Sequence, residues 1–254
     1  MQHSLKIRRR VNLLNDVWRL VRTAAGALDL PSEDAARQME MVLHARVLEM
    51  TAACVRLFDI GQHAPMPILL RVAYEALVDQ IALERNPRYL NHIAAEAARG
   101  GRVLPELIRM HGKDTLEAFL SAAGAREALR KLKTDQEQIE QRGGMRQEAE
   151  EKFEAAGMHE EYPFYRLLSA EVHNDAGMLI ARHVAQDRGG AERLQLFGTP
   201  DDVELSSRLN LGAGNLLRSA MSVHRNEGAP FREYFDKVTE FIREDDARQG
   251  VSSR

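Results

Sequence analysis

The residues of this chain whose types and spacing could do chemistry fall on two segments. Between Met66 and Leu83 nearly every position is apolar, including Ile68, Leu69, Leu70, Val72, Ala73, Ala76, Leu77, Val78 and Ile81. Three of the few polar residues there, Arg71, Glu75 and Asp79, recur at i, i+4 and i+8, which places them on one narrow stripe of a helix. The second segment carries Tyr165, Ser169 and His173 at the same spacing. Its Arg166, Ser169 and His173 follow i, i+3, i+7, so these four residues share nearly one face. Ionised groups among apolar side chains need partners, because an unpaired buried charge is strongly unfavourable. Arg71 and Glu75 are therefore expected to bond to each other and to something facing them. Two readings follow: a structural ion pair that fixes helix register, or the wall of a polar pocket. The pocket requires the two segments to lie against each other with their hydrophilic side chains converging.

The elements that must position these residues are helices. Aromatic residues make up only 6% of the chain, while Ala, Leu, Arg and Glu abound, a composition that favours helix over sheet. With 254 residues, 44% of them hydrophobic and 29% charged, there is enough apolar mass for a sizeable core. The expected fold is all-α, an up-and-down helical bundle forming a single domain over 1–254. Helices are expected over 5–28, from a Ser32 cap to Ile60 with Gly61 as the stop, over 66–86 ending before Pro87, over 163–184, from about 202 to 226, and from Pro230 to about 246. Shorter helices are expected over 88–123, and a short extended piece over Leu194–Phe197. Residues 125–157 read as a long charged helical arm protruding from the domain, suited to a protein partner.

Charge is unevenly placed although the net charge is only −3. Residues 1–28 carry Lys6, Arg8, Arg9, Arg10, Arg19 and Arg22 against Asp16 alone. Such a basic amphipathic helix can lie on a membrane or on RNA, but more often packs on its own protein. No apolar run approaches the length needed to cross a bilayer, and no apolar stretch follows the early charges as in a secretory leader, so a cytoplasmic protein with no membrane contact is expected. Cys54, the only cysteine, sits among Ala52, Ala53, Val55 and Leu57 and reads as a small core residue.

The string Tyr165-Arg166-Leu167-Leu168-Ser169-Ala170-Glu171-Val172-His173 carries a resemblance. An Arg followed by six residues and a His, on a helix of an all-helical chain, resembles the signature of the HEPN superfamily, which includes metal-independent ribonucleases of toxin–antitoxin and phage-defence systems as well as non-catalytic members. Where that family often has a polar residue directly after the Arg, this chain has Leu167. More broadly, Arg71-x-x-x-Glu75 with Pro87 and Tyr165-x-x-x-Ser169-x-x-x-His173 resembles a group of bacterial helical proteins catalogued as a domain of unknown function, over much of 40–240. The HEPN resemblance implies RNA cleavage without a metal. His173 would act as base or acid, Arg166 would hold the phosphate, and Ser169 or Tyr165 would position the scissile group. It also implies a homodimer, because in that family two copies of the motif meet.

Other chemistries find no motif. No His has a Glu three residues before it, as a di-iron carboxylate bundle needs, and His-Glu-x-x-His is absent. There is no phosphate-cradling Gly-x-x-x-x-Gly-Lys-Ser/Thr loop and no Gly-x-Ser-x-Gly elbow. No metal or other cofactor is expected. Two function classes stay open: an HEPN-like ribonuclease built on Arg166, His173 and Ser169, and a non-catalytic helical binding or sensor module in which Arg71, Glu75, Asp79 and Tyr165 form a supporting polar network.

Overall fold

Helix α1 (Leu5–Ala25) begins where the Ser4 hydroxyl accepts the Ile7 N–H. Its Ile7, Val11, Leu14, Val17 and Val21, spaced three or four apart, form one fully buried stripe. Helix α2 (Ala35–Asp59) is capped by Asp34, whose carboxylate accepts the Arg37 N–H at 2.9 Å; the expected cap, Ser32, lies outside the described residues. It stops at Gly61, whose φ of +73° is a conformation that glycine adopts without a Cβ penalty. Helix α3 (Met66–Arg85) opens with Pro67 in its first turn and ends just ahead of Pro87.

The computed structural model describes residues 4–31, 33–96, 147–172, 180, 183–186, 190, 192–194, 200–225 and 229–248. After α3 come a 3-10 turn (Pro87–Tyr89) and a helical segment over 90–96. Helix α4 (Ala149–Ala155), a second 3-10 turn (His159–Glu161) and α5 (Tyr162–Val172) follow. A small antiparallel hairpin pairs β1 (Val184–Gln186) with β2 (Glu192–Leu194), with Val184 opposite Leu194 and Gln186 opposite Glu192. The chain closes with α6 (Asp202–His224) and α7 (Ala229–Arg248). The fold is all-α, as composition implies, and among the described residues the hairpin is the only sheet.

Helix α3 is apolar on most sides because it stands in the middle, packed by α2, α4, α5 and α6. Leu70, Ala73, Tyr74, Leu77, Val78, Ala82 and Leu83 are all buried. Helix α6 packs on α3 and α1 at ordinary spacing: a Cβ on Gly212 would meet Leu70 at 3.5 Å and Leu14 at 3.6 Å, normal van der Waals contact. On the far side α7 is bolted to α1. Arg10, 1% exposed, donates to Asp245, Asp246, Asn210 and the Ile242 carbonyl, and Lys6 reaches Asp246 at 2.8 Å. The basic character of the first helix is thus partly consumed inside the protein. Among the described residues no helix is long and apolar enough to cross a membrane.

One expectation is corrected, and two others fall partly outside the described residues. Residues 125–146 of the expected arm lie outside the described residues, but its last part does not protrude: Phe153, Ala156 and Met158 are buried in the core. The segment expected as helix over 163–184 is helix over Tyr162–Val172 and helical again at Ile180 and His183, with 173–179, 181 and 182 outside the described residues; only its last residue, Val184, is strand instead. The short extended piece expected over Leu194–Phe197 is met at Leu194, the end of strand Glu192–Leu194, and 195–197 lie outside the described residues.

Candidate functional site

The polar stripe of α3 faces α5 and α4. Arg71 Nε donates to Glu75 Oε1 at 3.1 Å, closing the i,i+4 pair within α3. From α5 the Tyr165 hydroxyl completes a triangle. It donates to Glu75 Oε1 at 2.7 Å and accepts from Arg71 Nη2 at 3.2 Å, with the Arg71 guanidinium 5.4 Å from the Tyr165 ring centre. Burial, reinforced by the bond to Glu75, raises the Tyr165 phenol above its ordinary range, so this hydroxyl keeps its proton.

Two turns on, Asp79 Oδ1 accepts from the Tyr89 hydroxyl at 2.8 Å, and Lys152 of α4 stands 3.4 Å away. Burial pushes the Asp79 carboxyl up, against the opposing pull of Lys152 and Tyr89. Behind the stripe, Phe153 is the hinge of an aromatic cluster. Its ring lies 5.3 Å from Tyr74, 5.5 Å from Tyr162 and 5.2 Å from Tyr165. Tyr74 in turn donates to Glu161 at 2.6 Å, a carboxylate also held by Arg218 of α6.

The Arg71–Glu75–Tyr165 triangle, Asp79, Lys152, Phe153 and Tyr162 line one cleft of about 930 Å³, with Tyr74, Tyr89, Glu161 and Arg218 behind it. Arg71, Glu75, Asp79, Lys152, Tyr162, Tyr165 and Ser169 form its half-buried to buried wall, while Arg166, Glu96, Glu148 and Glu150 are exposed at its rim. The expected convergence therefore holds for Arg71, Glu75, Asp79, Tyr165, Arg166 and Ser169. His173 lies outside the described residues. Arg166 makes no ion pair among the described residues. A wall of this kind can hold a polar ligand by hydrogen bonds of both signs, with an aromatic face beside it.

Lys152, Phe153, Tyr162 and Tyr89 were not legible as site residues. Their one signal is that Ala149, Phe153 and Ala156 recur at i, i+4 and i+7 in an otherwise charged run, one apolar face that must be covered. Among the described residues no group of three or more His, Cys, Asp or Glu is placed to hold a metal ion.

Residues 39–191 match the model of a family of unknown function, DUF5677. Every described residue lining the cleft falls inside that span. No curated protein and no solved structure matches the chain.

Proposed function

Since the chain belongs to DUF5677, a family of unknown function, we propose a function from the cleft itself: it receives a small polar ligand, and the protein is a helical binding module. The observation that supports this most is the Arg71–Glu75–Tyr165 triangle in the cleft wall. Three groups from two helices hold one another in fixed orientation, so a ligand need not order them, and the entropic cost of binding falls. The rim bears Glu96, Glu148 and Glu150 against Arg166. Carboxylates around the mouth repel a long polyanion and favour a compact ligand of neutral or mixed charge.

A thermal-shift screen of small polar compounds tests this, with Ser169→Trp as the blocked cleft. A ligand at a hundredfold its Kd stabilises the native state by about 2.7 kcal/mol, roughly 5–10 °C in Tm for a domain of this size. Shifts of that order in the parent protein, lost in Ser169→Trp, are expected. Shifts that survive the Trp would refute a ligand site in this cleft.

The second reading, HEPN-like metal-independent RNA cleavage in a toxin–antitoxin or phage-defence setting, is favoured by one observation. Arg166 and Ser169 stand together in the cleft, and Arg166 is exposed and free of a counter-ion among the described residues. That reading takes two copies of the chain together as the working unit. Incubation with single-stranded RNA in EDTA separates the two. The binding module leaves RNA intact, whereas the nuclease cleaves it and loses cleavage in Arg166→Ala and His173→Ala.

A further inference from the structure

The C-terminal end of α6 is gripped by the first turns of α2. Arg37 donates to the Val223 carbonyl, one of the last carbonyls that a helix leaves without an internal partner. Arg37 also donates to Glu40 at 2.5 Å, and Arg225 donates to the same carboxylate at 2.7 Å. Glu40 is 2% exposed. One turn on, His44 Nδ1 lies 2.8 Å from the Ser219 hydroxyl.

The direction of that bond can be worked out. Gln80 Nε2 donates to the Ser219 carbonyl at 2.9 Å, so its Oε1 is the acceptor, and the Ser219 hydroxyl donates to it at 2.6 Å. The hydroxyl proton is therefore committed, and His44 must donate through Nδ1. The lone pair of His44 lies on Nε2, which is buried and meets no partner among the described residues. A proton arriving there creates a charge in a dry interior, with the His224 ring 6.5 Å away edge-on. Burial first, then His224 and Arg37, hold the His44 pKa down at about 4.

Beyond His224 the chain turns through Arg225 at φ +21°, a backbone state uncommon for a residue with a side chain. It then enters α7, whose Phe231 ring lies 4.8 Å from that of His224. The other end of α7 is fastened by Asp245 to Arg10.

We infer that this corner is an acid-released latch: proton uptake at His44 frees the first half of α7, while the Arg10–Asp245 staple holds its far end as a pivot. The groups facing His44 are Arg37 and Glu40 of α2, Ser219 and His224 of α6, Arg225 just beyond it, Gln80 of α3 and, through His224, Phe231 of α7. Glu40, the acid in this set, is already shared by two guanidinium groups, so it does not offset a new charge on the ring. The sign follows from linkage. In the closed corner His44 titrates at about 4; as the corner opens and water reaches the ring, it moves toward its ordinary 6.5. Between those values the open form binds one more proton, so its population rises as pH falls, by up to about tenfold per pH unit, and levels off below the lower value.

Hydrogen exchange of the full chain, corrected for intrinsic rates and followed from about pH 7 to about pH 5, tests the latch. Amides over 229–238 are expected to lose protection by up to about tenfold per pH unit below 6.5, while 240–248 and α3 stay protected. His44→Gln, which retains a donor for Ser219 but cannot titrate, flattens that slope. Glu40→Gln loosens the grip at neutral pH and speeds exchange over 229–238 by roughly fivefold or more, the scale of one weakened charge-assisted bond. Exchange over 229–238 in step with α3, a slope that persists in His44→Gln, or no change in Glu40→Gln would each overturn the inference.

Discussion

At the scale of single residues, the Tyr165 hydroxyl shows how much one side chain can join. It donates to Glu75 and accepts from Arg71, so a phenol on α5 satisfies both ionised groups of the α3 pair. The pair itself was legible, because Arg and Glu four apart on a helix are neighbours. The phenol was legible only as a member of its own helix face, since sequence spacing does not report which helix lies opposite. Lys152 was legible even less: nothing in Glu151-Lys152-Phe153 marks a lysine destined for Asp79. Cys54 behaves as its apolar neighbours imply. It is 1% exposed, its thiol points to the Met66 carbonyl at 3.8 Å, and burial pushes its pKa up to about 12. The thiolate is the reactive form, so a disulfide-exchange reagent at mildly alkaline pH is expected to leave native Cys54 untouched for hours and to titrate one thiol per chain after denaturation. Rapid labelling of the native protein would contradict this burial.

At the scale of elements, the contrast between α1 and α4 is instructive. Both carry dense charge, and both use it inward as well as outward. In α1, Lys6, Arg9 and Arg10 meet Asp245 and Asp246 of α7, more than two hundred residues away in sequence. In α4, acids surround Phe153, whose ring is fully enclosed. Charge density read along the chain marks a solvated face, yet a single apolar ring or a distant pair of acids is enough to dock the element. The energetic consequence differs between buried and exposed pairs. Arg10 and Asp245 have side chains 0% and 3% exposed, whereas Lys237 and Glu233 within α7 are 67% and 70% exposed. Asp245→Ala leaves Arg10 with weakened compensation in a dry site and is expected to cost about 2–4 kcal/mol in chemical denaturation. Glu233→Ala removes only a solvent-exposed pair and is expected to leave the denaturation midpoint nearly unchanged. Equal effects from the two substitutions would mean that the staple between α1 and α7 contributes no more than a surface pair.

At the scale of the whole molecule, the helical architecture was readable because caps, prolines and apolar stripes agree along most of the chain. Gly61, Pro67 and Pro87 each mark a boundary by a local mechanism, whereas the cap of α2 is Asp34, two residues beyond the Ser32 that the sequence suggested. The hairpin was only half readable, since three-residue strands carry too few positions for an alternation to register. The cleft was readable as a possibility, because two apolar helices with aligned polar stripes must satisfy those groups somewhere. That they do so against each other is a tertiary fact. The binding role proposed for the cleft depends on it, and a double-mutant cycle between Glu75→Gln and Tyr165→Phe measures it. The two residues lie on different helices, ninety residues apart in sequence, and share one hydrogen bond of 2.7 Å. A coupling energy of about 1 kcal/mol is expected, the order found for residues in direct hydrogen-bonded contact and moderated by the partial exposure of Glu75. Strictly additive effects, with no coupling beyond experimental error, would mean that α3 and α5 do not meet at this wall.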